Sequence, residues 1–228
     1  MTQNIMLAAS ILSADFAHLG EECKKVLSAG ADVIHFDVMD HHFVPNLTFG
    51  AFVATALRND NITAEIDVHL MVTDPEDYIS PFAKAGANRL TFHPETVSDV
   101  LTTCKKIRDA GMQAGLAFNP DKPVTISEKI LDEIDMILIM SVFAGFGGQT
   151  FITDSIQKIA ATKKLIMRNN PKILLGVDGG IKVNNIADVV AAGANFIVIG
   201  SGLFEAEDYV KQVNALRGAV KHGFLSSR

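Results

Sequence analysis

Residues 29–39 read Ala-Gly-Ala-Asp-Val-Ile-His-Phe-Asp-Val-Met, and this stretch decides the fold prediction. Its Ala-Gly pair ends a helix-like segment, because glycine favours the left-handed conformation that stops a helix. An apolar strand candidate follows at once. The same pair ends three further helix-like segments, Ala85-Gly86, Ala110-Gly111 and Ala192-Gly193. Successive glycines are 56, 25 and 82 residues apart, close to two, one and three units of about 27 residues, the size of one strand plus one helix.

Eight such units would fill nearly the whole chain of 228 residues. The apolar segments predict eight strands, at residues 6–10, 33–38, 64–70, 89–92, 112–117, 136–140, 173–177 and 196–199. Amphipathic stretches between them, such as 21–28, 97–110 and 153–167, predict helices that cover a parallel sheet. Eight units favour a closed (β/α)8 barrel over a doubly wound sheet. We therefore expect one catalytic barrel domain over residues 1–220, followed by a polar, disordered tail at 221–228.

The composition of the chain argues against several classes of protein. The chain is 48% hydrophobic and 20% charged, which fits a globular protein with a large core. Its net charge of -6 argues against broad nucleic-acid binding, and no apolar run reaches the length of a membrane span. The first residues lack a signal-peptide pattern. The two cysteines, Cys23 and Cys104, both fall in helix-like segments, so we expect no disulfide framework and a cytoplasmic location.

Polar residues stand at the carboxyl ends of several predicted strands, where barrels of this kind carry their chemistry. Strand alternation places His35 and Asp37 on one face of the second strand. His69 lies near the end of the third strand, and Asp178 follows the seventh. A single histidine at a strand end is more often structural, but four such groups converging on one end favour a divalent metal site. Zn, Fe, Mn and Co all suit these ligands, and the sequence does not choose among them.

Several neighbouring residues have more than one interpretation. His93 could replace one of the four ligands, although structural support from His93 and Glu95 is the favoured interpretation. Asp67 alternates with His69 and is expected to orient that histidine. Asp40 and the two histidines after it are expected in a loop. Met39, Met71 and Met140 could be ordinary core residues, but their positions at three strand ends favour an apolar wall around the ion.

Glycine-rich loops follow the last three strands and predict an anion site. They occupy residues 143–149, 179–180 and 200–202. Glycines let backbone N–H groups approach a phosphate, and the late loops of barrels often bind one. Turns are also rich in glycine, so one Gly pair alone would be weak evidence. Three clusters on adjacent loops favour the phosphate site.

A metal site close to a phosphate-binding site and two aspartates suggests proton transfer at a carbon next to a carbonyl. The metal would polarise a substrate carbonyl and stabilise an enediolate. Asp37 and Asp178 come from strands far apart around the barrel, so they could flank opposite faces of one carbon. One would remove a proton and the other would return one, which inverts the stereocentre. The residues alone do not show which aspartate begins as the base.

Long motifs throughout the chain resemble the ribulose-phosphate 3-epimerase family, from about Met6 to Val220. The matching motifs include Ser10-Ile11-Leu12-Ser13-Ala14-Asp15-Phe16, His35-Phe36-Asp37-Val38-Met39-Asp40, His42-Phe43-Val44-Pro45-Asn46-Leu47-Thr48-Phe49-Gly50, Asp67-Val68-His69-Leu70-Met71-Val72, Gly145-Phe146-Gly147-Gly148-Gln149 and Val177-Asp178-Gly179-Gly180-Ile181. The resemblance implies interconversion of D-ribulose 5-phosphate and D-xylulose 5-phosphate in the pentose phosphate pathway.

The resemblance also implies roles for individual residues. Asp37 would accept the proton and Asp178 would donate it, and both would bind the metal with His35 and His69. Ser10 and His69 would touch the sugar. The substrate-binding residues expected at the phosphate end are Gly145, Phe146, Gly147, Gly148, Gly179, Gly180, Gly200 and Ser201. Family members are commonly dimers or hexamers, so a homo-oligomer is expected.

Three positions depart from the family pattern. Phe143-Ala144 replaces an Asn-Pro or Asp-Pro pair, Ala51 replaces a proline and His41 replaces a smaller residue. They bear on loop shape and substrate preference rather than on the reaction class.

Three rival functions are weaker. One is an epimerase of a six-carbon ketose phosphate such as allulose 6-phosphate. Another is a barrel decarboxylase or aldolase, which is disfavoured because His69 stands where similar decarboxylases carry lysine. The third is a non-catalytic sugar-phosphate sensor, which leaves Asp37 and Asp178 without a purpose.

Overall fold

A computed structural model describes the backbone of residues 5–226 and the side chains of residues 5–221. Eight parallel strands pair in chain order and close into a barrel, which confirms the predicted fold. The strands are β1 Met6–Ser10, β2 Val33–Met39, β3 Glu65–Met71, β4 Arg89–Phe92, β5 Gln113–Phe118, β6 Met136–Met140, β7 Leu174–Asp178 and β8 Phe196–Ile199. Each predicted strand is present, and no boundary differs from its prediction by more than one residue.

Helices alternate with the strands and surround the barrel. They are α1 Leu19–Ala29, α2 Ala51–Asn59, α3 Glu76–Lys84, α4 Val100–Asp109, α5 Glu128–Leu131, α6 Ser155–Asn169, α7 Ile186–Ala191, α8 Ser201–Phe204 and α9 Tyr209–Ser226. Short 3₁₀ turns lie at Ile11–Ser13, Phe16–His18 and Pro94–Thr96. Helix α4 begins three residues later than predicted because the Asp99 side chain caps it, accepting a hydrogen bond from the Thr102 N–H.

The glycines of the Ala-Gly pairs have the conformation that the sequence predicts. Gly30, Gly86, Gly111 and Gly193 have φ values of +109°, +79°, +86° and +115°. Each follows a helix and turns the chain back towards the next strand. The repeated pair therefore marks the junction between one unit of the barrel and the next.

The barrel interior is apolar on one side and polar on the other. The apolar cluster consists of Ala8, Val33, Ala117, Met136, Leu138, Met140, Phe196 and Val198. The buried polar side chains of His35, Asp67 and Arg89 come from β2, β3 and β4. The Arg89 guanidinium carbon lies 5.1 Å from the centre of the Phe196 ring, where the two sides meet.

Helix α9 runs past the predicted domain boundary at residue 220 and ends at Ser226. Residues 227 and 228 of the predicted tail lie outside the described residues. Arg217 ties this helix to the barrel, since its guanidinium donates to the Ile5 and Gly30 carbonyls and to the Asp32 carboxylate. Within residues 5–226, no helix combines the length and the apolar character that crossing a bilayer requires.

Both cysteines are buried free thiols, and burial raises the pKa of each to about 12. A high pKa keeps a thiol protonated and unreactive, so these side chains serve as small apolar core residues.

Candidate metal centre and active site

Strand register brings the predicted metal ligands together at the carboxyl end of the barrel. Asp37 on β2 lies beside His69 on β3, and Asp178 is the last residue of β7. One potential ligand atom from each of His35, Asp37, His69 and Asp178 lies within 4.8 Å of the others. Both histidine side chains are fully buried, whereas those of Asp37 and Asp178 keep 7% and 13% exposure. The two carboxylates are thus the members of the cluster that solvent or a substrate can reach.

The distances within the cluster suit one small divalent ion. Asp37 Oδ1 lies 3.4 Å from His35 Nε2 and 3.3 Å from His69 Nδ1. Asp178 Oδ2 lies 3.4 Å from His69 Nδ1 and 3.9 Å from His35 Nε2. Tetrahedral N and O ligands about 2.0–2.2 Å from an ion are about 3.3–3.6 Å from one another. The cluster could therefore hold a metal ion after small side-chain adjustments.

An unpaired nitrogen supports this interpretation. His35 Nε2 is buried and has no hydrogen-bond partner among the described side chains. The other ring nitrogen, Nδ1, lies 2.7 Å from Asp67 Oδ2, a distance at which it donates its proton to the carboxylate. In the neutral ring, Nε2 then presents its lone pair to the cluster, as a metal ligand requires.

Asp67 orients a different histidine from the one that the sequence suggests. The expectation that it orients His69 is wrong, because strand register places Asp67 beside His35 and His69 beside Asp37. Two residues along a strand span about 6.6 Å, so the neighbouring strand offers the closer partner.

Arg89, which sequence reasoning missed, supports Asp67 from the other side. Its Nη1 lies 3.3 Å from Asp67 Oδ1 and its Nη2 donates to Gln113 Oε1 at 2.7 Å. Burial alone would raise the pKa of Asp67, but the hydrogen bond from His35 and the Arg89 charge outweigh it and lower that pKa. The only signal in the sequence was a charged residue at the start of an apolar strand.

Charge interactions also set the ionisation of the cluster. Burial would raise the pKa of Asp37, but His35 and His69 lower it below its ordinary value. Burial would lower the pKa of His35, but Asp37 and Asp67 raise it well above its ordinary value. Asp37 is therefore ionised at neutral pH, ready to bind a cation or to accept a proton.

Ser10 contacts one of the two aspartates directly. Its hydroxyl donates to Asp37 Oδ2 at 2.5 Å, while Asp37 Oδ1 faces the histidines. Ser141, at the end of β6, donates instead to the backbone carbonyls of Asp178 and Gly179. This pair of bonds holds the backbone that carries Asp178.

A cavity at the barrel mouth joins the cluster to the glycine-rich loops. Its lining includes Ser10, Asp37, Met39, Met71, Met140, Gly145, Phe146, Gly147, Gly148, Asp178, Gly179, Gly180, Gly200 and Ser201. Leu12 and Ser13 also line it, although sequence reasoning gave them no role. The three methionines line the same cavity as the two carboxylates. The structure therefore places the three methionines, the two aspartates and the glycine-rich loops around one cavity.

Two side chains hold the loop after β6 in shape. Gln149 Nε2 donates to the Phe143 and Phe146 carbonyls, and Asn46 Nδ2 donates to the Gly145 carbonyl. In the next loop Gly180 has φ +66°, and a Cβ there would lie 2.5 Å from the Phe151 backbone nitrogen. Glycine is thus required where the two loops touch.

His93 lies next to the cluster without joining it. Its Nε2 is 3.0 Å from His69 Nε2, and its buried ring packs 4.8 Å from that of Phe43, centre to centre. Burial and, to a smaller extent, the nearby His69 hold the pKa of His93 well below its ordinary value. Glu95 stands 3.8 Å from His93 Nδ1.

The predicted loop residues and the departures from the family pattern lie around the mouth. Asp40 pairs with Leu47 across a short loop, in which His41 adopts a left-handed φ of +63°. Phe143 is 53% exposed, whereas the Ala144 N–H donates to Asn119 Oδ1. Ala51 is the first residue of α2.

The fold and the site together define a (β/α)8-barrel protein with a candidate divalent-metal centre at its carboxyl-terminal mouth. The model of the ribulose-phosphate 3-epimerase family matches residues 6–204. The chain belongs to the ribulose-phosphate 3-epimerase family, a family of isomerases. This confirms the resemblance that its motifs show.

Individual members of the family are similar in sequence to this chain over nearly its full length. The chain is 50% identical to ribulose-phosphate 3-epimerase of Escherichia coli strain K12 over 212 residues, which cover 93% of this chain and 94% of that one. It is 52% identical to ribulose-phosphate 3-epimerase of Serratia marcescens over 209 residues, covering 92% and 100%.

Solved structures support the fold alone. KGPDC from Streptococcus mutans superposes with a TM-score of 0.68 at 17% identity, covering 96% of this chain and 98% of that one. 3-Hexulose-6-phosphate synthase from Salmonella typhimurium gives a TM-score of 0.66 at 18% identity, covering 96% and 100%. These similarities confirm the barrel architecture.

Proposed function

We propose that this isomerase interconverts D-ribulose 5-phosphate and D-xylulose 5-phosphate by inverting C3 with two aspartates. The observation that carries the proposal is the position of Asp37 and Asp178. Both carboxylates reach one cavity, and the loops rich in glycine border the same cavity. Membership of the epimerase family supplies the substrate class.

Asp37 is the proposed base in the direction from D-ribulose 5-phosphate. Its ionised carboxylate takes the C3 proton, and the electron pair of the C3–H bond moves towards the C2 carbonyl to give the enediolate of the substrate. The hydrogen bond from Ser10 to Asp37 Oδ2 orients the carboxylate. The environment of Asp37 favours ionisation, as a base requires.

Asp178 is the proposed acid from the opposite face. Protonated Asp178 gives its proton to C3 as the electron pair returns from the enediolate, and C3 is inverted. One proton has then left the substrate and another has arrived, with Asp37 protonated and Asp178 ionised. The reverse reaction uses the same residues with their roles exchanged.

His35, Asp37, His69 and Asp178 would hold one divalent ion, for which Zn, Fe, Mn and Co are the candidates. Such an ion supplies positive charge that polarises a carbonyl and stabilises an enediolate. The methionine side chains of Met39, Met71 and Met140 would limit solvent access at this point.

The glycine-rich loops would bind the phosphate through backbone N–H groups. Gly145, Gly147 and Gly148 follow β6, Gly179 and Gly180 follow β7, and Gly200 and Ser201 follow β8. Phe146, which is 55% exposed, would cover this end of the substrate. The preference for a small ketose phosphate follows from a metal at one end of the cavity and a phosphate site at the other.

Epimerisation in D₂O tests the two-aspartate mechanism. The wild type is expected to place deuterium at C3, whereas Asp37→Asn and Asp178→Asn lose epimerisation by at least about 10²–10⁴-fold. Asp109→Asn, an exposed carboxylate on the outer helix α4, serves as the matched control and keeps full activity. Full epimerase activity in either Asp37→Asn or Asp178→Asn would contradict the mechanism.

The second candidate function is the same epimerisation of a larger substrate. The exposed Phe143 and the Ala144 beside it alter the loop that borders the cavity, so a six-carbon ketose phosphate is the alternative substrate. Comparison of kcat/KM for D-ribulose 5-phosphate and allulose 6-phosphate decides between them. A strong preference for the six-carbon sugar would overturn the substrate assignment.

We further propose a cytoplasmic homo-oligomer, a dimer or hexamer, that binds neither nucleic acid nor membranes. The net charge of -6 disfavours nucleic acid, and two buried free thiols suit a reducing compartment. Exposed apolar side chains at Leu47 and Phe52, which are 69% and 73% exposed, would suit a subunit interface. Light scattering at micromolar concentration tests the oligomeric state.

A further inference from the structure

We infer that His93 is a positioning residue that holds His69 with its proton on Nε2 and its Nδ1 lone pair towards Asp37 and Asp178. The inference rests on the proposed metal site and deepens it. It assigns to the second histidine of the cluster a partner of a different kind from the carboxylate that orients the first.

Only one proton can lie between the two histidine nitrogens that face each other. His69 Nε2 and His93 Nε2 are 3.0 Å apart, so one nitrogen donates and the other accepts. On the opposite side of its ring, His69 Nδ1 lies 3.3 Å from Asp37 and 3.4 Å from Asp178. His69 therefore has one nitrogen in the cluster and one on His93.

The direction of this hydrogen bond follows from the role of His69. A neutral imidazole carries a single proton, and a nitrogen that binds a metal must present its lone pair. If Nδ1 binds the ion, the proton of His69 is on Nε2 and His93 Nε2 accepts it. The proton of His93 is then on its Nδ1.

The surroundings of His93 fit that tautomer. His93 Nδ1 is buried without a hydrogen-bond partner among the described residues, and the nearest acidic atom, Glu95 Oε1, lies 3.8 Å away. A proton on Nδ1 faces this carboxylate, which is electrostatically favourable.

Local packing fixes the ring of His93. The residue is fully buried, its ring packs against Phe43, and its backbone carbonyl accepts hydrogen bonds from the Thr96 N–H and hydroxyl. These contacts set the start of the Pro94–Thr96 turn and hold the imidazole against His69. Its position is thus set by the fold before any ion binds.

The two candidate histidine ligands are oriented by groups that differ in charge. His35 donates to the Asp67 carboxylate, whose charge Arg89 compensates, whereas His69 meets a neutral imidazole. His69 already lies beside Asp37 and Asp178, so a neutral acceptor orients its ring without bringing a third carboxylate to it.

Zinc affinity of the metal-free full-length protein tests the inference, with a matched pair of substitutions. Gln at position 93 can place its Oε1 where Nε2 of His93 stands and accept the same hydrogen bond, whereas Leu has similar bulk and accepts none. His93→Leu is expected to bind Zn²⁺ about 10–100-fold more weakly than the wild type, and His93→Gln to recover most of the loss. Equal affinities of the wild type and His93→Leu would overturn the inference.

The ¹⁵N NMR spectrum of histidine-labelled, zinc-loaded wild type gives a second readout that needs no variant. It is expected to show the proton of His69 on Nε2 and that of His93 on Nδ1, and a proton on His93 Nε2 would refute the inference. This spectrum decides the matter even if His93→Leu does not fold. Asp37→Asn tests the proposed metal site separately from the role of His93. If the wild type binds Zn²⁺ no more tightly than Asp37→Asn, the four-residue cluster is not a metal site.

Discussion

At the scale of single residues, Asp67 shows how a buried charge is kept in place. Its two carboxylate oxygens are shared between His35 Nδ1 and Arg89 Nη1, and all three side chains are buried. A buried carboxylate without partners would be very costly, so the two contacts are needed together. The chain of contacts links the base of the barrel interior to the proposed metal site.

Removal of this carboxylate should affect stability and metal binding at the same time. Asp67→Ala leaves Arg89 without its buried charged partner, so that only the half-exposed Glu65 carboxylate remains near it, and leaves His35 Nδ1 without an acceptor. We therefore expect a loss of about 3–5 kcal/mol in the free energy of unfolding. We also expect about 10–100-fold weaker zinc binding. Urea unfolding and zinc titration measure these two effects.

Asp67→Asn is the control, because its amide oxygen still accepts the proton of His35 while the charge is lost. It should recover more of the zinc affinity than of the stability. Zinc affinity of Asp67→Ala equal to that of the wild type would show that this carboxylate does not orient a ligand.

The sequence predicted the candidate ligands but not their partners. His35 and Asp37 stand out because alternation along one strand puts both on the same face. The partner of Asp67 depends on the register between β2 and β3, which one sequence does not specify. The supporting role of His93 stays a prediction, whereas Arg89 was missed because its contact with Asp67 also depends on strand register.

At the scale of elements, the loop after β2 depends on Asp40. Its carboxylate accepts hydrogen bonds from the N–H groups of His42, Phe43 and Thr73 and from the Thr73 hydroxyl. Burial acts to raise the pKa of Asp40, but these hydrogen bonds outweigh it and lower that pKa from 3.8 to about 2. The loop after β2 is thereby attached to the end of β3.

Asp40 should make stability depend on pH in a defined window. Because the folded pKa lies below the unfolded one, the contribution is complete above pH 3.8 and is lost as the pH falls towards about 2. Asp40 is partly exposed, so screening limits the effect, and Asp40→Asn is expected to cost about 1 kcal/mol near neutral pH. Urea unfolding of both proteins across this range should show the difference shrinking on acidification. A difference independent of pH would contradict this account of the loop.

The glycine loops should be sensitive to a single added methyl group. Gly180→Ala places a Cβ within 2.5 Å of the Phe151 nitrogen and 2.9 Å of the Gln149 carbonyl oxygen, so the loops after β6 and β7 must separate. We expect KM for the ketose phosphate to rise by about tenfold or more, which corresponds to the loss of one or two hydrogen bonds.

Gly111→Ala provides the matched control in steady-state kinetics. Gly111 also has a positive φ, but a Cβ there meets nothing within 4 Å and the residue is far from the site. Its variant should lose some stability while keeping KM. A KM in Gly180→Ala equal to that of the wild type would argue against the phosphate site.

Most element boundaries were predictable because the Ala-Gly pairs and the apolar runs agree. β2 gains one residue at its end, β3, β5 and β7 each lie one residue further along the chain than predicted, and α4 begins three residues later. The extension of β7 to Asp178 matters most, because this residue becomes the last of the strand rather than part of a loop. Its pairing with Met140 on β6 holds it in place. A hydrophobicity pattern assigns a charged terminal residue to the loop and therefore misses this extension.

At the scale of the whole molecule, closure of the barrel brings β7 opposite β2 and β3. Closure is what allows Asp178 to meet Asp37 and His69. An ion bound there would connect three strands and should stabilise the folded state through mass action. The eightfold repeat of the sequence predicted this closure, although the distances within the site depend on side-chain packing.

Metal removal should therefore lower the melting temperature reversibly. At an ion concentration about 100 times Kd, bound metal contributes about 2.7 kcal/mol, or about 5–10 °C for a domain of this size. Calorimetry before and after chelation, followed by addition of Zn²⁺, measures the change. Asp178→Asn should show a much smaller shift, and an equal shift in this variant would place the stabilising ion elsewhere.

The metal content of freshly purified protein tests the central claim most directly, namely that the four-residue cluster is a metal centre on which epimerisation depends. Elemental analysis of the wild type, with activity measured on the same sample, is expected to give about one divalent ion per chain and to show activity rising in proportion to metal content. Full epimerase activity in protein without stoichiometric metal would contradict the account.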